Sequence, residues 1–128
     1  MARRRRRRSP ALTDAEAPLM DVLWQRTQAT VSEVVDALKE KKRAAHYSTV
    51  QTLLRILETK GYVSHEKVGR AFIYRPRVDE RQARRRALSH LLTRLFNGSP
   101  SLLLLNVLED GQIDAEELKR LKKIIEDA

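Results

Sequence analysis

The feature that most narrows the possible folds is the order in which helix starts and one β-prone pair follow each other along the chain. Ser, Thr or Asp followed three residues later by Glu or Gln is a capping box, in which two side chains satisfy two backbone N–H groups that a helix leaves unbonded. The pattern stands at Thr13–Glu16, Thr30–Glu33, Ser48–Gln51, Asp79–Gln82 and Asp114–Glu117, and Ser99-Pro100 adds a start with Pro in the first helical position. Each opens a segment with apolar residues at helical spacing. The spacing predicts helices over about 13–26, 30–42, 48–60, 79–97, 99–109 and 114–127, with Gly61 ending the third. Residues 62–67 and 71–76 are β-prone runs around Val68-Gly69-Arg70, a hairpin closed by Pro76. Pro18 falls inside the first helix, where it removes a backbone hydrogen bond, so that helix is expected to kink there or to start late.

Three helices followed by a hairpin is the order of a winged helix-turn-helix. The fold class read from the sequence is therefore mainly α: a winged helix-turn-helix DNA-binding domain with a small β-hairpin wing over 12–78, then a three-helix dimerisation segment over 79–128. Residues 1–11, with Arg3 to Arg8 consecutive, read as a tail that is disordered without a partner.

The third helix carries the argument for nucleic acid. At 100° per residue, Val50, Leu53, Leu54 and Leu57 share one face. Ser48, Thr52, Arg55 and Thr59 lie opposite, with Gln51 on one flank and Thr49 and Ile56 on the other. A solvated helix face is usually rich in Glu and Lys. This one offers hydroxyls, an amide and an arginine, groups that suit base edges in a major groove. Lys67 and Arg70 near the hairpin tip are placed to reach backbone phosphates beside that groove. Phe72 and Tyr74 alternate with Ala71, Ile73 and Arg75, so one hairpin face is expected to pack inward.

Charge points the same way. Residues 1–78 hold 17 Lys/Arg against 8 Asp/Glu, whereas residues 79–128 hold 9 of each. The asymmetry suggests a half that binds a polyanion and a neutral half for assembly. The neutral half is rich in leucine: Leu88, Leu91, Leu92, Leu95 and Phe96 form one stripe, and Leu102, Leu103, Leu104, Leu105, Val107 and Leu108 surround the next helix almost completely. Leu118, Leu121, Ile124 and Ile125 follow on the last. Some fifty residues cannot bury that much apolar surface alone, and a second copy on a two-fold axis is the commonest cover.

Other functions find no footing. The chain has no cysteine, which excludes disulfides and thiolate metal sites, and His46, His65 and His90 are too scattered to form a metal site. No phosphate loop and no nucleophile–His–acid set occurs, so neither an enzyme nor a cofactor is expected. Asp14, Glu16 and Asp21 cluster at a helix start, where acids favour the dipole. No apolar stretch is long enough to span a membrane, and no export signal follows the arginines, so a cytoplasmic protein is expected. Sequence-independent binding of RNA, or an architectural role on nucleic acid, stays open as a second reading of the same basic composition, and docking of a protein partner on the winged helix as a more distant third.

The residues LTDAE…LMDVLW (12–24), STVQTLLRILETKGYV (48–63) and GRAFIYRP (69–76), supported by FNGSP (96–100) and LLNVLED (104–110), resemble the penicillinase repressor family, which includes the methicillin-resistance and copper-operon repressors. The resemblance runs over about 12–128. It implies a bacterial homodimeric repressor that reads an inverted-repeat double-stranded DNA operator, often with TACA/TGTA half-sites. On this sequence it implies that Ser48, Thr49, Gln51, Thr52 and Arg55 form the recognition helix and that Arg70 lies on the wing. Several relatives carry their arginine where this chain has Ile56, and many have Trp at the position of Ala17. The resemblance also implies derepression through a membrane sensor protease, with cleavage at Asn106–Val107, a place where cut relatives often have Phe after the Asn. The copper-sensing branch uses C-terminal cysteines, which this chain lacks.

Overall fold

A computed structural model describes residues 11–111 and 113–127; the Arg3 to Arg8 run and the side chain of Ile125 lie outside the described residues. The chain folds as α1 (Ala17–Arg26), β1 (Ala29–Thr30), α2 (Val31–Glu40), α3 (Tyr47–Thr59), β2 (Val63–Val68), β3 (Ala71–Pro76), α4 (Glu80–Leu95), α5 (Pro100–Glu109) and α6 (Ala115–Asp127). All six expected helices and the hairpin form.

Local chemistry sets most of the boundaries. The Thr30–Glu33 box closes in both directions, at 2.9 and 3.2 Å, and starts α2. Asp79 and Gln82 do the same for α4, Ser99 Oγ accepts from the Leu102 amide at α5, and Asp114 accepts from the Glu117 amide at α6. The Thr13–Glu16 box also closes, but it holds only a single turn, and α1 proper begins at Ala17. Pro18 then sits in the first helical turn, where no helical partner is lost, so the helix starts late rather than kinks. The expected Ser48 cap is corrected. The cap residue of α3 is His46, in extended backbone, and its carbonyl already accepts the Val50 amide at 3.0 Å, so Ser48 lies inside the helix with no capping bond.

Gly61 ends α3 with φ +85°, a conformation that costs a Cβ-bearing residue free energy. The Gly61 amide bonds Glu58 O and the Tyr62 amide bonds Leu57 O, closing the last turn on both free carbonyls and sending Tyr62 into the core, fully buried. Tyr62 is thus a cap residue, and β2 runs one residue later than expected.

The sheet order is β1-β3-β2, all antiparallel, with His65 and Ala29 on either side of Tyr74. β1 was not foreseen, since it is two residues long. The hairpin turns through Gly69-Arg70, between the pair Val68 and Ala71. On the hairpin face that carries both aromatic residues, Tyr74 is buried and Phe72, nearer the tip, is exposed.

One core joins these elements: Leu19, Met20 and Leu23 from α1, Val34 and Leu38 from α2, Val50, Leu54 and Leu57 from α3, with Tyr62, Val63 and Tyr74 from the hairpin. Leu53 packs against its edge. The core extends through the lead-in to α4 and its first turn: Val78, before the helix, and Ala83, within it, are buried, and the Trp24 indole N–H donates to the Val78 carbonyl at 2.9 Å. A buried ion pair ties the start of α1 to the end of α3. Lys60 Nζ lies 2.7 Å from Glu16 Oε1 and also donates to the Ala11 carbonyl, with side chains only 5% and 3% exposed.

The chain separates into two compact units, Met1–Ala87 and Leu88–Ala128. The first therefore reaches nine residues past the boundary expected at 78, and the division falls within α4. In the second unit Leu88, Leu91, Leu95, Leu104, Leu108 and Leu121 stand exposed, and α5 has no buried residue. Leu92 and Leu103 are half-buried. No single helix among the described residues is long and apolar enough to cross a membrane.

Candidate nucleic-acid interface

Packing of Val50, Leu54 and Leu57 fixes the rotation of α3 and so turns its polar side outward. Ser48, Thr49, Thr52 and Arg55 are exposed there, and Gln51 is half-buried. The hairpin lies along one flank. Between α3, the start of α2 and the hairpin tip is an open groove of about 450 Å³ lined by Thr30, Ser32, Tyr47, Gln51, Arg70 and Phe72, among others. Gln51 and Arg70, 19 positions apart in sequence, share that groove. Thr49 does not. It faces a separate hollow with Arg43, Ala45 and Leu53 on the far flank of α3. Ser48, Thr52 and Arg55 occupy the ridge between the two hollows. Lys67 Nζ rests 6.0 Å from the centre of the Phe72 ring, which props the side chain on the wing.

Three carboxylates near the hairpin side of this surface are each held by a local partner. Glu58 is bonded by His65 Nδ1, which links α3 to β2, and the His65 ring also meets those of Phe72 and Tyr74. Glu66 is bonded by Arg75 at 2.7 Å, and that bond holds its carboxyl below the usual range. Glu33 is lowered chiefly by the Thr30 backbone N–H. Arg55, Lys67 and Arg70 make no salt bridge among the described residues. The hairpin side of the surface thus presents cations and neutral polar groups, with Glu33, Glu58 and Glu66 already occupied. Burial, and after it the charge of Glu58, pushes the Tyr74 hydroxyl up, so it stays neutral beneath the sheet.

Sequence reasoning missed Tyr47, which is 51% exposed at the start of α3 and lines the groove. Its signal was present: an aromatic residue beside a helix start yet off the apolar stripe. Thr30 and Ser32 could not be placed, since only the fold brings the start of α2 to the wing.

The family model for the penicillinase repressor matches residues 12–127. The chain belongs to the penicillinase repressor family. This is a family of transcriptional repressors rather than enzymes, and this repressor shares 35% identity over 120 residues with the penicillinase repressor of Bacillus licheniformis, covering 92% of the present chain and 91% of the relative. It shares 22% over 114 residues with the methicillin resistance regulatory protein MecI of Staphylococcus aureus, covering 89% and 92% of the two chains. The solution structure of the DNA-binding domain of the repressor BlaI superimposes with a TM-score of 0.50 at 35% identity, over 59% of this chain and 90% of that domain. The three helices and three-stranded sheet of this repressor are accordingly a winged helix.

Proposed function

We propose that this repressor acts as a homodimer on an inverted-repeat DNA operator in the bacterial cytoplasm. The α3 ridge of Ser48, Thr52 and Arg55, with Gln51 on its flank, enters the major groove, and Lys67 and Arg70 hold the flanking phosphates. Thr49 joins from the far flank. The observation that carries the reading is the joining of Gln51 and Arg70 in one groove whose nearby acids are tied to local partners. Sequence-independent binding would need only charge, whereas the exposed groups of α3 are mostly ones that discriminate bases. The exposed leucines, Leu88, Leu91, Leu95, Leu104, Leu108 and Leu121, with Leu92 and Leu103, form the seam with the second copy. Relief of repression follows cleavage at Asn106–Val107, triggered by a membrane sensor protease. Asn106 is exposed on α5 and its amide donates to the Leu102 carbonyl at 2.8 Å, so the helix must open there first.

Selection of bound duplexes from a random library tests the operator reading. It should return an inverted repeat whose half-sites lie about one helical turn apart, centre to centre. Recovery of no shared sequence, or equal affinity for double-stranded RNA, would reject it in favour of a shape-and-charge binder.

A further inference from the structure

The division after Ala87 redraws the charge map. Met1–Ala87 holds 21 Lys/Arg against 10 Asp/Glu, and Leu88–Ala128 holds 5 against 7. The difference from a cut at residue 78 is an arginine cluster at the start of α4. Arg81, Arg84 and Arg85 are all exposed, on or beside the face opposite the buried Ala83, while Arg86 lies over the Tyr62 ring at 5.0 Å. Glu80 pairs with Arg84, and the Asp79 carboxylate accepts the Gln82 amide. Arg81 and Arg85 have no such partner among the described residues.

This placement opposes local electrostatics. Arg81 stands in the first turn, where the helix dipole disfavours a cation. Arg81 and Arg85 are a like-charge pair four residues apart, which destabilises a helix. The cluster is also firmly held, since Trp24 bonds Val78, the Arg77 amide bonds Tyr62 O, and Ala83 is in the core. A rigid surface that carries unfavourable cations gains stability when an anion covers it.

We propose that Arg81 and Arg85 form a second DNA-backbone surface, separate from the reading groove. The proposal rests on the DNA-binding reading above. β3 runs from Ala71 beside the turn to Pro76, so at ~3.4 Å per residue Pro76 lies ~17 Å along the strand from the wing tip, and the cluster follows in α4 beyond that far end of the strand. It therefore meets phosphates other than those at Arg70. The acids of a second copy fit less well. Glu116, Glu117, Glu126 and Asp127 on α6 each have a Lys or Arg three or four residues away on the same helix, and Asp114 accepts the Glu117 amide, so the acidic excess of that unit comes down to the adjacent Glu109 and Asp110.

The test uses the full chain and its Arg81→Gln/Arg85→Gln variant, titrated against operator and random duplexes across a salt series. Each arginine that touches a phosphate contributes about 0.9 to the slope of log K against log salt, so the variant slope should be shallower by about 1.8 per protomer and about 3.6 for the dimer on its operator, and a rise from 50 to 200 mM salt should cost the variant dimer about 150-fold less affinity than wild type. The ratio of operator to random affinity should stay unchanged, and Arg81→Lys/Arg85→Lys should keep the wild-type slope. An unchanged slope in the glutamine variant would overturn the proposal. So would an unchanged slope with weaker dimerisation in sedimentation equilibrium, which would assign the arginines to the second copy. If the wild-type chain binds no duplex, the operator reading falls as well; if it binds the operator and only the slope fails to change, this proposal falls alone.

Discussion

Replacing Lys60 with Met should be among the most damaging single changes in the first unit. The methionine keeps most of the apolar stem and removes the ammonium. Glu16 is then left 3% exposed with the Thr13 amide, but no cation, on its carboxylate, and the Ala11 carbonyl loses the Lys60 donor. Breaking a buried pair from one side costs about 3–5 kcal/mol, because the remaining charge stays desolvated. An exposed pair at the same 2.7 Å separation contributes about 0–1 kcal/mol, so burial decides the magnitude. At about 4 °C or more per kcal/mol for a domain of this size, the melting temperature should fall by at least about 12 °C. Urea unfolding followed by circular dichroism measures the loss directly. The double variant Glu16→Gln/Lys60→Met is the control. Glutamine can still complete the capping box with Thr13, and no charge is stranded, so stability should return to within about 1 kcal/mol of wild type. A single-variant loss below about 1 kcal/mol would refute the burial argument, since that is what a solvated pair supplies. A double variant as unstable as the single one would show that packing of the lysine stem, not charge, was lost.

Arg55→Ala should leave the unfolding curve in place, cost about 1–3 kcal/mol on the selected operator, and relax preference at one base pair per half-site; a uniform loss over single-base operator variants would assign Arg55 to phosphate instead. A chain ending at Ala87 should fold, sediment as a monomer and bind the operator more weakly, whereas one ending at Arg77 should also lose stability because it lacks the Val78 acceptor for Trp24 and the buried Ala83. A dimeric 1–87 chain would remove the assembly role of the leucine-rich segment. Thr30→Ala should destabilise by about 1 kcal/mol at neutral pH, measured by urea titration. Because Glu33 is lowered in the fold, its stabilisation is full above the ordinary carboxylate pKa and is lost as pH falls through the folded value, so the gap between Thr30→Ala and wild type should narrow in acid.

The fold was legible where its causes are local. Helix starts, the Gly61 stop and the Gly69-Arg70 turn each depend on a few neighbouring residues, and all but the start of α1, four residues late at Ala17, appear within one or two positions of where the pattern puts them. The error at Ser48 has the same origin. A box pattern signals a helix start only if the preceding residues are not already helical, and here Tyr47 is. β1 was illegible because two residues have no periodicity of their own, and the strand exists only because β3 offers an edge to Ala29 and Thr30. The Glu16–Lys60 pair joins residues 44 positions apart, and sequence alone gave Glu16 a sufficient role as a cap.

The interface divides along the same line. Which residues of α3 face outward follows from the rotation its apolar stripe imposes, so Ser48, Thr52 and Arg55 could be named in advance. Which of them work together does not follow, because that depends on where the hairpin lands. Its landing draws Gln51 and Tyr47 toward Arg70 and leaves Thr49 with Arg43 on the opposite flank. The charge argument depended on a boundary, and the boundary was set by packing. Trp24 holds the segment that leads into α4 through Val78 O, and Tyr62 meets the Arg86 guanidinium within the helix, so both tie it to the first core. Those two contacts carry Arg81, Arg84 and Arg85 into the DNA-binding unit and leave the second unit with a small acidic excess. Long-range aromatic packing therefore decides which half of the repressor holds its cations, and any effect of Trp24→Phe on DNA affinity should act through the placement of α4 rather than through the groove.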